Sequence, residues 1–374
     1  MKIINVVGAR PNFMKMAPLI EAMRAYPGIR SVLVHTGQHY DTNMSKLFFE
    51  DLALPTPDIC LEVGSGSHAE QTARVMVEFE KVLLQERPDL TVVVGDVNST
   101  LACALTSVKL GVPVAHVEAG LRSYDRTMPE EINRILTDAI SAYLFTTEKD
   151  AETNLLKEGI PSERVFFVGN VMIDSLLRHL KKAENSTVLA DLNVVPRGYA
   201  LLTLHRPSNV DDKANFVKVL SAVAHIQERL PIVYPVHPRT RNKIAEFRLE
   251  DRYPFLANGS RSLRMVEPQG YLDFLRLMRN ARLVLTDSGG IQEETTVLGV
   301  PCITMRESTE RPITVNEGTN VLVGTDTASI VREAMLVLDG HAKKGRVPEL
   351  WDGNAAERIV RVLAEKFDLA RAAS

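Results

Sequence analysis

Short apolar runs separated by amphipathic stretches recur along almost the whole chain, and this alternation restricts the fold more than any other feature. Strands covered on both faces read as nearly continuous Val, Ile and Leu runs. Parallel neighbours also need a crossover between them, which a helix usually supplies. In the first half the pattern predicts strands over 3–7, 31–35, 90–94, 112–117, 144–146 and 165–168. Helices are predicted over 13–25, 69–85, 99–109, 130–142 and 150–157. A polar stretch, 181–198, then interrupts the rhythm and ends in Pro196-Arg197-Gly198, so the inter-domain connection belongs in or just before it. A second series follows, with strands near 199–204, 232–236, 264–266, 282–286 and 301–305 and helices near 213–228, 239–247, 271–280 and 292–298. The chain of 374 residues also exceeds what one hydrophobic core usually serves. The expected architecture is α/β: two Rossmann-like doubly wound domains, residues 1–175 and 176–353. A final helix, 354–370, carries Ile359, Val360, Leu363, Ala364 and Phe367 at helical spacing.

Charge and cysteine content narrow the function classes. A net charge of -3, with no Lys/Arg block, supplies no field for tracking a nucleic-acid backbone, so any anion must be held locally. Cys60, Cys103 and Cys302 form no CxxC pair and read as reduced residues of a cytoplasmic protein. Met1 to Gly8 reads as a first strand rather than an export signal, and no apolar run approaches the ~20 residues of a membrane helix. His116 and Glu118 stand two apart but lack a third ligand at useful spacing, so no metal is expected.

Ligands on parallel α/β sheets bind beyond the carboxyl ends of the strands, and the residues at those ends are unusually polar here. The run Thr286-Asp287-Ser288-Gly289-Gly290-Ile291-Gln292-Glu293-Glu294 lies where a strand should turn into a helix. Glycines there let a ligand approach the backbone, and the first N–H groups of the helix favour an anion, although the same run serves as a plain helix start. Earlier strand ends carry Arg10 and Lys15, then Asp96, then Glu118; later ones carry His205, His237 and Gln269. Each has a structural alternative. Asp96 can cap the next helix, and Glu130 and Glu131 follow Pro129 where the helix dipole favours acids. His205 and His237 can be satisfied interior histidines, and Arg10 can pair on the surface.

Six motifs in order carry a resemblance. They are Gly8-Ala9-Arg10-Pro11-Asn12-Phe13-Met14-Lys15, Thr36-Gly37-Gln38-His39, Gly95-Asp96-Val97-Asn98-Ser99, His116-Val117-Glu118-Ala119-Gly120-Leu121-Arg122, Pro129-Glu130-Glu131-Ile132-Asn133-Arg134 and Asp287-Ser288-Gly289-Gly290-Ile291-Gln292-Glu293-Glu294. Together they resemble the non-hydrolysing UDP-N-acetylglucosamine 2-epimerases from residue 1 to past Gly324. The resemblance implies two domains facing across a cleft in the glycosyltransferase-B manner, with the last helix returning to the first domain. It also implies a homodimer and reversible conversion of UDP-GlcNAc to UDP-ManNAc without a cofactor, through UDP elimination and a 2-acetamidoglucal. By motif position, Asp96, Glu118, Glu130 and His205 resemble the catalytic residues. Arg10, Lys15, Arg134, Ser288, Gly289, Gly290, Glu294 and Arg311 resemble substrate contacts, and Gln269 and Phe274 resemble the residues that hold the uracil ring. Arg206-Pro207-Ser208-Asn209 and Tyr40-Asp41-Thr42-Asn43-Met44 depart from the commoner family pattern. Two other readings use the same residues: a 2-epimerase of a related UDP-2-acetamido sugar, and a glycosyltransferase with a UDP-sugar donor.

Overall fold

In a computed structural model of the chain, which describes residues 1–37, 56–256 and 262–371, the apolar runs pair as two sheets. Gln38 and His39, and the departing residues 40–44, lie outside the described residues. The first sheet contains β1 (Lys2–Val7), β2 (Arg30–His35), β3 (Ile59–Cys60), β4 (Leu90–Val94), β5 (Val114–Ala119), β6 (Tyr143–Thr146) and β7 (Val165–Phe167). Its order is β3-β2-β1-β4-β5-β6-β7, and every pair is parallel. The second contains β8 (Ala200–Thr203), β9 (Ile232–Pro235), β10 (Leu263–Val266), β11 (Leu283–Thr286), β12 (Cys302–Thr304) and β13 (Asn320–Leu322). It runs β10-β9-β8-β11-β12-β13, again all parallel.

Both sheets are doubly wound. In the first, the chain steps outward from β1 to β3 and then returns to lay β4 on the other side of β1; in the second, β11 returns beside β8. Each sheet therefore has one topological switch point, between β1 and β4 and between β8 and β11. A crevice for a ligand opens there because the helices following the two strands leave on opposite faces.

The chain divides into two compact units, Met1–Arg178 with Glu349–Ser374, and His179–Pro348. Within the first, strand periodicity sorts the core: Ile3 and Val7 face one side, Ile4 and Val6 the other. The helices Arg10–Met23 and Ala355–Lys366 cover the first side, and His68–Glu86 and Asn98–Lys109 the second. Ile359, Val360 and Leu363 of the last helix are wholly buried, each stabilising by roughly 1.5–3 kcal/mol relative to exposure. The helix Arg10–Met23 starts with a proline in its first turn and also contains Pro18. Pro18 has no N–H for the Met14 carbonyl, and the Ser175 hydroxyl donates to that carbonyl instead.

The second unit builds its core from β8, β9, β11 and the helices Lys213–Ile226 and Thr327–Leu338. The helices Val171–Ala183 and Thr327–Leu338, and the strands β3 and β13, are additions to the elements expected from sequence. The two strands are only two and three residues long, too short for periodicity to register. Ile330, Ala334 and Val337 do stand at helical spacing, so that helix was legible. The helix after β11 begins at Gly289, three residues before the apolar pattern places it, because a glycine pair carries no periodic signal.

Candidate active site

At the first switch point the loop after β1 and the loop after β4 are tied together by one side chain. Asn12 accepts from the N–H groups of Gly8 (3.2 Å) and Ala9 (2.9 Å) through Oδ1 and donates through Nδ2 to the Val94 carbonyl (3.1 Å). Beneath it Lys15, on the helix Arg10–Met23, is buried and its ammonium meets the Glu118 carboxylate. Glu118 adopts φ 72°, in the left-handed region that a side chain with a Cβ occupies at a penalty, and the register of β5 against β6 slips between Val117 and Ala119. This bulge redirects a carboxylate at a strand end. Strain held in place by surrounding contacts is a feature of functional sites, and the contacts here are dense. A Cβ on Gly95, itself at φ 67°, would lie 3.3 Å from both Asn12 Nδ2 and Lys15 Nζ and 3.5 Å from Glu118 Oε2.

Asp96 follows Gly95 and stays partly open, its side chain about 30% exposed, while the Arg134 guanidinium grips one of its oxygens from the helix Pro129–Ile140. The same guanidinium reaches Glu131 Oε2 at 2.6 Å, so Arg134 links two carboxylates. Burial would raise the Glu131 carboxyl, but the N–H of Ser123, the Arg134 guanidinium and the N–H of Tyr124 together hold it below the usual range. Sequence offered Glu131 only as a helix-start acid; the structure makes it the anchor of Arg134. Glu130, one residue earlier, is half buried and outside this network of described residues. Asn133 donates to the Asp96 carbonyl at 2.9 Å. Behind the loop, His116 donates from one ring nitrogen to the Gly95 carbonyl (2.9 Å) and pairs through the other with Asp138 (2.6 Å), which also takes Arg122 at 2.8 Å. Burial pushes the Asp138 carboxyl up, yet His116 and Arg122 override it and hold it low.

Lys15, Glu118, Asp96 and Arg134 are thus brought together. Arg10 opens the helix above them, and its side chain lies outside the described residues.

The second unit repeats the logic with the opposite charge. After β11, Asp287-Ser288 leads into the helix Gly289–Leu298, whose N-cap Ser288 makes no side-chain cap bond. Its hydroxyl is not spent on the helix start, and the first N–H groups there suit an anion. Arg311 lies against Gly289: an added Cβ would meet its Nη1 at 2.9 Å and Glu310 Oε1 at 2.6 Å, so a larger residue would displace those side chains. Arg311 contacts Glu310 (2.6 Å) and Glu293 (2.8 Å), and Arg306 (2.8 Å) and Arg206 (3.8 Å) also face Glu310. Burial would raise the Glu310 carboxyl, but the arginines beside it depress it far below the usual range. Three guanidinium groups thus gather around Glu293 and Glu310 beside the helix start. Arg206, three residues past β8, was noted from sequence only beside His205 and in the departing run, and Arg306, two residues past β12, was not singled out.

His205, after β8, stands across the switch point with its ring 2.8 Å from Asp287 and about half of its side chain exposed. His237 instead caps the helix Pro238–Glu246, accepting from the Arg239 N–H at 3.2 Å. Glu294, a turn into the helix Gly289–Leu298, takes the Tyr271 hydroxyl at 3.1 Å. Burial, aided by neighbouring Glu293, pushes its carboxyl up to about 7 against the opposing Tyr271 bond. Gln269 donates to the Glu267 carbonyl at 2.7 Å just before the helix Tyr271–Asn280, and Phe274 lies one turn into that helix; both are half buried.

Comparison with known proteins gives a consistent answer. A family model described as UDP-N-acetylglucosamine 2-epimerase matches residues 21–364. The UDP-N-acetylglucosamine 2-epimerase of Methanocaldococcus jannaschii is 46% identical over 368 residues, covering 97% of this chain and 99% of its own. The UDP-2,3-diacetamido-2,3-dideoxy-D-glucuronate 2-epimerase of Pseudomonas aeruginosa is 41% identical over 374 residues, with 98% and 100% covered. Among solved structures, the M. jannaschii UDP-GlcNAc 2-epimerase in complex with UDP-GlcNAc and UDP aligns at a TM-score of 0.89 and 46% identity, covering 98% of this chain and all of that one. The Neisseria meningitidis UDP-GlcNAc 2-epimerase bound to UDP-GlcNAc aligns at 0.87 with 31% identity and 98% of this chain covered. A match of this extent, with relatives this similar from end to end, places the chain in the UDP-N-acetylglucosamine 2-epimerase family.

Proposed function

We propose that this protein interconverts UDP-GlcNAc and UDP-ManNAc by eliminating and re-adding UDP. The observation that carries the reading is the carboxylate pair at the first switch point, Asp96 held by Arg134 and Glu118 held by Lys15 on a strained bulge. The C2 proton of the sugar has no neighbouring carbonyl to acidify it, so its removal must accompany loss of UDP. A carboxylate takes that proton, the C2–H electron pair forms the C1=C2 double bond, and the C1–O pair departs with UDP. The products held on the enzyme are 2-acetamidoglucal and UDP. Return of a proton to the opposite face of C2, with UDP re-adding at C1, gives the epimer. Asp96, Glu118 and Glu130 are the acid and base candidates, and this role belongs to the first unit.

Holding UDP belongs to the second unit. The N–H groups of the helix Gly289–Leu298, with Ser288, Gly289, Gly290 and Arg311, suit the diphosphate, whose charge grows as the C1–O bond breaks. His205 adds a donor there when its ring is charged. Gln269 and Phe274 offer an amide and an aromatic face for uracil, and Glu294 a carboxyl for sugar hydroxyls. None of these steps calls for a redox cofactor. Cys60, Cys103 and Cys302 are free thiols, which fits a cytoplasmic place. Exposed Val77 and Leu84, Val108, and Ile132 and Leu136, on three helices that pack side by side, fit a homodimer.

The test is incubation of UDP-GlcNAc in D2O. Deuterium at C2 of both recovered UDP-sugars is the expected result, and epimer formed without exchange refutes proton abstraction. Running the UDP-2,3-diacetamido glucuronate substrate of the P. aeruginosa relative in parallel ranks the two sugars by kcat/KM; the higher identity to the M. jannaschii enzyme favours UDP-GlcNAc.

A further inference from the structure

Asp287 was visible in the sequence only as the residue before Ser-Gly-Gly, and the reaction as derived so far gives it no part. Its place in the fold is unusual. The carboxylate is wholly buried at the end of β11, on the second switch point, and almost everything it binds belongs to the opposite loop. It accepts from the backbone N–H of His205 (3.1 Å) and of Arg206 (2.9 Å), from the Asn209 amide (3.2 Å), and from His205 Nδ1 at 2.8 Å. One group therefore fixes both the path of the loop after β8 and the ring of the histidine it carries.

Its protonation follows from its partners. Burial alone would raise the Asp287 carboxyl, but the His205 ring and the N–H groups of Arg206 and His205 outweigh it and keep the group below the usual carboxylate range. An ionised carboxylate only accepts, so the hydrogen between Asp287 and His205 resides on Nδ1. Nε2 is then the free working atom of the ring. It is a base when the imidazole is neutral and a donor when the ring is charged. With about half of its side chain exposed, His205 can meet a ligand through that atom while Asp287 remains out of reach.

We propose that Asp287 is a positioning residue of the epimerisation: it locks His205 in the Nδ1–H form and thereby presents Nε2 to the bond between sugar and diphosphate. This rests on the reading of the protein as a UDP-sugar 2-epimerase. A loop staple with no chemical role would make the same backbone bonds, so the discriminating substitution is Asp287→Asn. The amide oxygen of asparagine still accepts from a backbone N–H, but its NH2 donates toward Nδ1 and turns the ring to the Nε2–H form.

The experiment combines side-chain 15N spectroscopy of the histidines with kinetics. His205 signals are assigned by their loss in His205→Gln, and wherever its ring is neutral wild type is expected to show Nδ1 protonated and Nε2 bare. In Asp287→Asn, folded by circular dichroism and thermal melting, the assignment should reverse and kcat should fall by about 10²-fold with KM changed by less than a few-fold. In a His205→Gln background, adding Asp287→Asn should lower kcat by less than about twofold, because the residue acts through the ring. A neutral ring protonated on Nε2 in wild type, which requires no variant to fold, overturns the proposal; so does full multiplication of the two single effects. If wild type fails to exchange deuterium at C2, the epimerase reading falls, while the ring assignment in the free protein still decides the Asp287 geometry.

Discussion

Replacing Lys15 by Met is expected to destabilise the first unit by about 3–5 kcal/mol, the range for breaking a buried ion pair by deleting one partner. The estimate rests on burial: Lys15 Nζ and the Glu118 carboxylate meet where both side chains are less than 10% exposed. Methionine preserves most of the volume, so a cavity contributes little and the loss reports the carboxylate left without its cation. The assay is built into the molecule. The chain has one tryptophan, Trp351, which is buried in the first unit and donates to the Thr147 carbonyl at 3.0 Å. Its fluorescence during urea unfolding therefore follows the first unit and is blind to the second. With a slope of roughly 2 kcal/mol per molar urea, the midpoint should fall by about 1.5–2.5 M. Glu118→Gln alone should be milder, since the amide oxygen still accepts from the ammonium. The double variant Lys15→Met with Glu118→Gln should be more stable than Lys15→Met by 1 kcal/mol or more. A midpoint shift under about 0.5 M, or single effects that simply add, refutes the argument that this pair is a mutually dependent buried unit.

Three further outcomes follow from the same geometry. Gly120→Ala should prevent stable folding of the first unit, because the residue sits at φ 79° and its new Cβ would lie 2.3 Å from the Ala151 carbonyl oxygen; native Trp351 fluorescence in the purified variant would contradict this. Glu294 binds its proton more tightly in the fold than in the unfolded chain, its carboxyl being pushed up to about 7 from 4.5, so its contribution to stability is lost as pH rises through that interval. Calorimetry from pH 4.5 to 8 should show wild type losing roughly 3 kcal/mol that Glu294→Gln does not lose. Arg311→Ala should weaken UDP binding by about tenfold or more by titration calorimetry, because it removes one guanidinium from beside the helix start; unchanged affinity would remove Arg311 from the diphosphate site.

Much of this protein is written locally. Strands buried on both faces are mainly apolar, so β1, β4, β5, β8 and β11 stand out as short apolar runs even though Asn5 and Thr91 are buried among them. Their carboxyl ends, where ligands of such sheets lie, could be read directly as the positions of Asp96, Glu118, His205 and Ser288. The glycine pair before Ile291 likewise marks a backbone that a ligand can approach closely. What the linear order does not encode is partnership. Glu130 and Glu131 are adjacent acids at one helix start, and a helical rotation of about 100° alone makes Glu131 the buried anchor of Arg134 and leaves Glu130 outside that network. Asp287 and His205 are separated by 82 residues, and only the return of β11 beside β8 sets the carboxylate against the imidazole. Composition and periodicity therefore determined the two doubly wound sheets and where their polar ends lie. Which carboxylate is ionised, which cation is already engaged and which histidine nitrogen faces outward were decided by tertiary structure, because each depends on a partner supplied from a distant part of the chain.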